Sequence, residues 1–320
     1  MLTVVAPVFN EADGIETFCA AVAEQLEKLT DQWEIILVND GSTDGTAEVL
    51  QKLHRHDARI KVVQFSRNFG YQTAITAGLK FASGQAVITM DSDLQHPPEL
   101  IPEMVKLWRS GKHIVNTVIT YGQEIGWFKR KSSELFYRIC NVVSDVKLIP
   151  NAADFRLIDK TVAETFNAMP ESSRFVRGMI RWMGFKEAVL EYTAQPRRCG
   201  VSKLGLIKML RLAADGILSF SVAPLRWIIY TGLAVALMSV LYAVYIFGEV
   251  IITGNTTPGW PTLIVAILFL GGMQLTALGV LGEYIGRIYM ETKHRPLFVV
   301  EETLGLETAT EKDASLVRAA

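Results

Sequence analysis

The chain has 320 residues, half of them apolar, and a formal net charge of −1. That length holds one large domain and an extension, and the near-zero charge argues against bulk nucleic-acid binding. Cys19, Cys140 and Cys199 are the only cysteines; far apart and without a CxxC pair, they argue against a zinc site or a disulfide framework and fit reduced thiols.

Leu2 to Phe9 is a β-rich apolar run followed by Asn10-Glu11-Ala12-Asp13-Gly14. It has no basic n-region and no cleavage site, so a strand is expected and not a signal peptide. A helix is expected over 15–29, with Ile15, Phe18, Val22, Leu26 and Leu29 on one face. Glu34 to Asn39 is a second strand, ending in Asp40-Gly41-Ser42-Thr43-Asp44-Gly45 and a helix over 46–54. Lys61 to Phe65 is a third strand, which Arg67-Asn68-Phe69-Gly70 links to a helix ending near Ala82. Ala86 to Met90 is a fourth. Strand and helix in strict alternation imply a parallel sheet.

The fourth strand runs into Asp91-Ser92-Asp93-Leu94-Gln95-His96-Pro97-Pro98-Glu99. Strand spacing would point Asp91, Asp93 and Gln95 to one side. Three such oxygen donors suit a hard cation, Mg²⁺ or Mn²⁺, that also holds a diphosphate. A bare Asp-x-Asp also fits a helix-capping turn; the strand before it and the prolines after it favour the metal–nucleotide reading. Asn10, Glu11 and Asp40 fall at the ends of the first and second strands, so one sheet edge would gather them with Asp91 and Asp93. Neither GxGxxG after the first strand nor GxxxxGK[ST] anywhere is present, which disfavours a dinucleotide dehydrogenase or a P-loop NTPase.

Pro7-Val8-Phe9-Asn10-Glu11, Asn39-Asp40-Gly41-Ser42 and Asp91-Ser92-Asp93-Leu94-Gln95 resemble the nucleotide-sugar motifs of inverting GT-A glycosyltransferases of family 2. The run Asp93 to Glu99 narrows the resemblance to the polyprenyl-phosphate glycosyltransferases, a group that includes dolichyl-phosphate mannose synthase and the GtrB-type bactoprenol glucosyltransferases. The resemblance implies an α/β GT-A domain, Rossmann-like with a mainly parallel sheet, over residues 1–203. It implies that Pro7, Asn10, Glu11, Asp40 and Asp91 hold the nucleotide sugar, and that Asp91, Asp93 and Gln95 hold the metal and diphosphate. Asn151-Ala152-Ala153-Asp154-Phe155-Arg156-Leu157 is similar to the acceptor-side motif, which implies a catalytic or positioning role for Asp154 beside Asp93. Arg174-Phe175-Val176-Arg177-Gly178 and Arg197-Arg198-Cys199-Gly200-Val201-Ser202-Lys203 resemble basic segments of the family. By that likeness Arg174 and Arg177 face the sugar diphosphate, while Arg130, Ser133, Arg197 and Lys203 face the acceptor phosphate. Arginines are the expected clamp for such anions on chemical grounds too. Two departures stand out: no Arg-x-x-Arg near Thr117 to Gly122, and Leu204 where an aromatic residue usually follows the lysine.

Residues 204–225 read as an amphipathic interfacial segment, and residues 226–290 as a two-helix transmembrane domain. Trp227 to Phe247 and Thr262 to Leu281 carry no charge, and each is long enough as a helix to span the ~30 Å hydrocarbon core. Lys and Arg flank the pair on the outer ends only, which puts both chain ends in the cytoplasm. Gly282 and Gly286 supply a small-xxx-small face for helix association and a homo-oligomer. Residues 291–320 read as a cytoplasmic tail, polar and disordered after Glu302.

The expected activity is therefore transfer of a hexose from a nucleotide sugar, UDP-glucose first, to polyprenyl phosphate at the cytoplasmic leaflet. GDP-mannose and UDP-aminoarabinose are the alternative donors. A catalytically silent membrane partner subunit is the alternative from another class, supported by the lost arginines alone.

Overall fold

The structure is a computed structural model that describes residues 1–120, 149–150, 152–193, 223–253 and 259–306. Arg130, Ser133, Arg197 and Lys203, and the amphipathic stretch from 204 to 222, lie outside the described residues.

Four apolar runs form the expected parallel strands: β1 (Leu2–Val8), β2 (Trp33–Asn39), β3 (Ile60–Phe65) and β4 (Ala86–Thr89). They lie in the order β4-β1-β2-β3. Between them run α1 (Ile15–Glu27), α2 (Thr46–His56) and α3 (Tyr71–Phe81), with α4 (Ile101–Arg109) after β4. Neighbouring strand residues serve opposite faces. Val4 and Ile35 pack with Phe18 of α1 and Met104 of α4, while Val5 and Ile36 pack with Ile75 of α3. Both faces are covered, so these strands read as unbroken apolar runs and not as an alternation.

The chain then departs from the simple alternation. β5 (Ile114–Ile119) is followed by β6 (Ala152–Asp159), which inserts antiparallel between β4 and β5. After β6 come α5 (Lys160–Ala168), α6 (Val176–Trp182) and β7 (Glu187–Tyr192). The register sets Thr89 opposite Arg156. Followed two residues past the strand end, it brings Asp91 level with Asp154. Because β6 runs against β4, its first residues stand at the same sheet edge as the last residues of β4.

The expected helical pair forms and outruns its uncharged cores: α7 (Ala223–Thr253) and α8 (Trp260–Thr292). The Glu283–Arg287 pair on α8 closes at 3.3 Å, one turn apart. Phe247 is 70% exposed and Ile252 85%; apolar faces of this kind call for a hydrocarbon solvent or a partner. Among the described residues, one helical stretch, Leu225–Glu249, is long and apolar enough to cross a membrane.

The reading of the C-terminal segment as a tail is corrected at its start. Val300–Leu304 is a strand, β8, paired antiparallel with β3 at the edge of the eight-stranded sheet. Phe298 stacks on Phe65, centroids 5.1 Å apart. The edge of β3 would otherwise present unpaired N–H and C=O groups; the exposed Glu301 and Glu302 sit between Val300 and Leu304, which pack against the two apolar clusters.

Helix α3 meets β1 at Gly78, where an added Cβ would lie 2.0 Å from Val5 Cγ1. Val5 is fully buried on a central strand and stiff at χ1. Gly78→Ala gains ~1 kcal/mol of helix propensity but overpacks the core by about 1–3 kcal/mol. We expect a lowered thermal midpoint; an unchanged or raised midpoint would show that α3 can slide off the sheet.

Candidate active site

The strand order reverses between β1 and β4: the chain leaves β1 toward β2 and β3, then returns to the other side as β4. Crevices at such switch points are where open α/β sheets take ligands. Here the loops after β1, β2 and β4 meet the start of β6.

The loops brace one another. Asn10 sits at φ +57°, a conformation asparagine tolerates. Its Oδ1 accepts the Thr43 N–H at 2.9 Å, and its own N–H donates to Ser42 Oγ at 3.0 Å. The Glu11 N–H donates to Thr46 Oγ1 at 3.1 Å. Asp40 accepts the N–H groups of Phe69 and Gly70 at 2.6 and 2.9 Å. Burial pushes its carboxyl up, against the pull of those amides and of Arg67. Gly41, at φ +67°, lets the backbone of Arg67 pass: a Cβ there would be 2.5 Å from its carbonyl carbon. Asn10 and Asp40 thus stand at the expected edge, with their side chains engaged in holding the loops.

Strand β4 stops at Thr89, so strand alternation does not carry through residues 91–95; the chain turns at Ser92 and Asp93 and bends at Leu94. This corrects the expected geometry of Asp91, Asp93 and Gln95. Asp93 Oδ1 accepts the Gln95 N–H at 3.0 Å, and Leu94 takes φ +58°. A leucine there costs about 1–3 kcal/mol, so the turn is held by its surroundings. Ser92 Oγ donates to the Pro7 carbonyl at 3.1 Å, pinning the turn to β1. Among the described residues no group of three or more His, Cys, Asp or Glu side chains converges as a metal site. Two carboxylates remain, Asp91 and Asp93. That donor set fits Mg²⁺ or Mn²⁺, which use one or two protein carboxylates and complete their shell with substrate phosphate and water.

Asp91 is held from two sides. The Tyr71 hydroxyl donates to its Oδ1 at 2.5 Å. The Asp91 N–H donates to His96 Nδ1 at 3.1 Å, which assigns the ring proton to Nε2, 3.7 Å from Asp91 Oδ2. His96 is itself fixed by stacking on Phe155, centroids 5.3 Å apart. Burial raises the Asp91 carboxyl, with Asp154 and Asp93 adding to it, while His96 and the Tyr71 hydrogen bond oppose. Burial, then Asp154 and Asp91, push the Tyr71 phenol well above its ordinary value, so it stays a donor.

Asp154 is the most tightly held group. Arg177 grips it as a fork, Nε to Oδ1 and Nη2 to Oδ2, both at 2.7 Å. Arg156 Nη2 adds a third bond to Oδ1 at 2.9 Å. Burial alone would raise this carboxyl; Arg177 first and Arg156 next outweigh it and hold the carboxyl below its ordinary value. Both oxygens are committed to guanidinium groups.

Arg174 does not join this cluster. Its guanidinium donates to the carbonyls of Met169 at 2.5 Å and Glu171 at 3.1 Å and lies over the Phe166 ring. α6 begins at Val176, so Arg174 and Arg177 are not one helical turn apart on one face. Tyr71, His96 and Arg156 join the carboxylates through the fold. His96 and Arg156 lie inside the recognised motifs, so the motifs themselves were the signal; Tyr71 has none in the sequence, since only α3 brings it to Asp91.

Asp154→Ala would leave Arg156, 3% exposed, as an uncompensated buried charge, at about 3–5 kcal/mol. Arg177→Ala should cost less, because that side chain is about one-third exposed and solvent screens it. The order of thermal midpoints checks this: wild type highest, then Arg177→Ala, then Asp154→Ala. A reversed order would make Arg177 the keystone.

Comparisons with known proteins bear on the family. Residues 3–166 match the family model Glycosyl transferase family 2, and residues 223–288 match that of the GtrB C-terminal hairpin. An uncharacterised glycosyltransferase of Synechocystis is 42% identical, with 96% of each chain covered. The bactoprenol glucosyl transferase of Shigella phage SfV is also 42% identical, over 94% of this chain and 98% of that one. Among solved structures, glucosyl-3-phosphoglycerate synthase from Mycobacterium tuberculosis covers 68% of this chain and 76% of its own, at 17% identity and a TM-score of 0.46, a likeness too distant to carry an inference. The Rossmann-like, mainly parallel sheet is the GT-A architecture. Motifs, fold and relatives converge: the chain belongs to glycosyl transferase family 2 and carries a GtrB C-terminal hairpin.

Proposed function

We propose that the protein transfers glucose from UDP-glucose to undecaprenyl or another polyprenyl phosphate at the cytoplasmic face of the inner membrane. The observation that carries this reading is the near full-length identity to bactoprenol glucosyl transferases, together with the hairpin match. The acceptor is a phosphate monoester with a second pKa of ~6, so it arrives largely ionised. Its oxygen attacks the anomeric carbon and the nucleoside diphosphate leaves from the opposite face, which inverts the configuration.

A carboxylate base is not needed for such an acceptor. Asp154, with both oxygens in guanidinium hydrogen bonds, is suited to hold Arg177 and Arg156 toward phosphate charge. Asp91 and Asp93, with Gln95 beside them, would hold Mg²⁺ or Mn²⁺, which neutralises the departing diphosphate. Pro7, Asn10, Glu11 and Asp40 form the nucleotide side of the cleft. Arg130, Ser133, Arg197 and Lys203 take the acceptor phosphate in this reading. Both α7 and α8 span the bilayer, residues 226–290 form the membrane domain, residues 204–225 lie at the interface, and the small face at Gly282 and Gly286 packs protomers together.

Purified protein with radiolabelled UDP-glucose and undecaprenyl phosphate should yield labelled lipid. Chelator should abolish it, Mg²⁺ or Mn²⁺ should restore it, and Asp93→Asn should remove most of it with the fold intact. Full turnover in EDTA would remove the metal from this reading, and label entering lipid only from GDP-mannose would reassign the donor.

Orientation has its own test. A cysteine at Thr256, between α7 and α8, should react with an impermeant thiol reagent from outside the cell. Native Cys19 is no reporter: it is buried, and burial, with Glu16 adding to it, pushes its thiol up to about 12. Lys28→Cys, on the exposed side of the catalytic domain, serves instead. Labelling at position 28 and none at 256 in intact cells would invert the topology.

A further inference from the structure

Helix α8 does not end in solvent. Glu291, in its last turn, accepts the Ser172 N–H on both carboxylate oxygens at 3.0 Å and the Ser173 N–H at 3.3 Å. Two successive amides therefore converge on one carboxylate more than a hundred residues away in sequence. Charge-assisted bonds of this kind are roughly twice as strong as neutral ones.

Those amides belong to the loop between α5 and α6, and the loop is closed on itself. Arg174 crosses it to the carbonyls of Met169 and Glu171. Its far end is pinned where the Val176 N–H donates to Gln72 Oε1 at 3.1 Å. Gln72 follows Tyr71, the donor to Asp91, and the residue after Val176 is Arg177, the fork on Asp154. A displacement of Ser172 and Ser173 thus has its shortest route to Arg177 and its partner Asp154. Past Glu291 the chain returns to the sheet: Phe298 stacks on Phe65 and β8 pairs with β3. Glu291 is the tether on the Asp154 side, and β8 the tether on the other.

We propose that Glu291 is a positioning residue that registers the hairpin against the loop that leads into α6 and Arg177. The depth of the hairpin is set by hydrocarbon thickness, and a lipid phosphate must stay at headgroup depth because its charge is costly to bury. A fixed link from α8 to this loop puts the Asp154–Arg177 pair at that depth. The inference rests on the reading of the hairpin as a membrane anchor and of the chain as a polyprenyl-phosphate transferase.

The test uses full-length Glu291→Ala and Glu291→Gln with a short-chain prenyl phosphate and UDP-glucose in mixed micelles. For Glu291→Ala, kcat/KM for the acceptor should fall about tenfold or more. UDP affinity, measured by titration calorimetry, should stay at the wild-type value, because the nucleotide side of the cleft lies on β1 and β2. Glu291→Gln keeps one oxygen for the amides and should recover part of the loss. Wild-type kinetics in Glu291→Ala would overturn the inference alone. A parallel fall in acceptor kinetics, UDP affinity and thermal midpoint would also overturn it, by showing a general structural role. A wild-type protein that makes no lipid-linked sugar would overturn the parent reading, and this one with it.

Discussion

The cleft depends on one carboxylate held by two guanidinium groups. Asp154 is almost fully buried, and so is Arg156. Neither charge could stay there without the other, since desolvating an isolated ion costs several kcal/mol. Arg177 completes the pairing from α6 with a two-bond fork. Because the fork fixes direction as well as distance, α6 is locked to β6 and the loop before it is drawn to the cleft. Charge is therefore built into the floor of the site before any substrate arrives, and no dipoles need to reorganise at the moment of reaction.

Asp91 is held by different means. Its neighbours are a phenol and an imidazole, and burial raises its carboxyl while the arginines lower that of Asp154. Two carboxylates level with each other across an antiparallel pair are thus pushed in opposite directions by their surroundings. Such splitting is the pattern by which paired carboxylates take different roles, and here both Asp154 oxygens are spent on guanidinium groups. The turn that carries Asp93 is strained at Leu94, and the Ser92 bond to Pro7 and the stacked His96 hold it in place.

The long helices are tied into this arrangement at their far end. Glu291 lies in the last turn of α8 and β8 beyond it, and each closes onto the catalytic domain. A hairpin whose exit strand completes the sheet cannot move independently of the cleft.

Much of this was legible in the residues themselves. The apolar runs located β1 to β4 and their helices because a doubly covered strand has to be apolar on both faces. Asn10, Asp40 and Asp91 were readable as neighbours at one sheet edge because parallel strands deliver their carboxyl ends there. The uncharged runs from Trp227 and Thr262 announced the long helices α7 and α8 because neither run holds a charge or a proline to break it. Other features came only from the tertiary structure. β6 runs antiparallel, and that direction sets Asp154 level with Asp91; no local pattern records strand direction. Arg174 and Arg177 look alike in sequence, yet one is spent on backbone carbonyls and the other on Asp154, because α6 starts between them. Tyr71 and Glu291 find their partners twenty and more than a hundred residues away. β8 was hidden in a polar segment because the adjacent Glu301 and Glu302 interrupt its apolar run, and backbone pairing with β3 leaves no side-chain signature. Periodicity reports what a segment buries, and it is silent on which distant group a charge will meet.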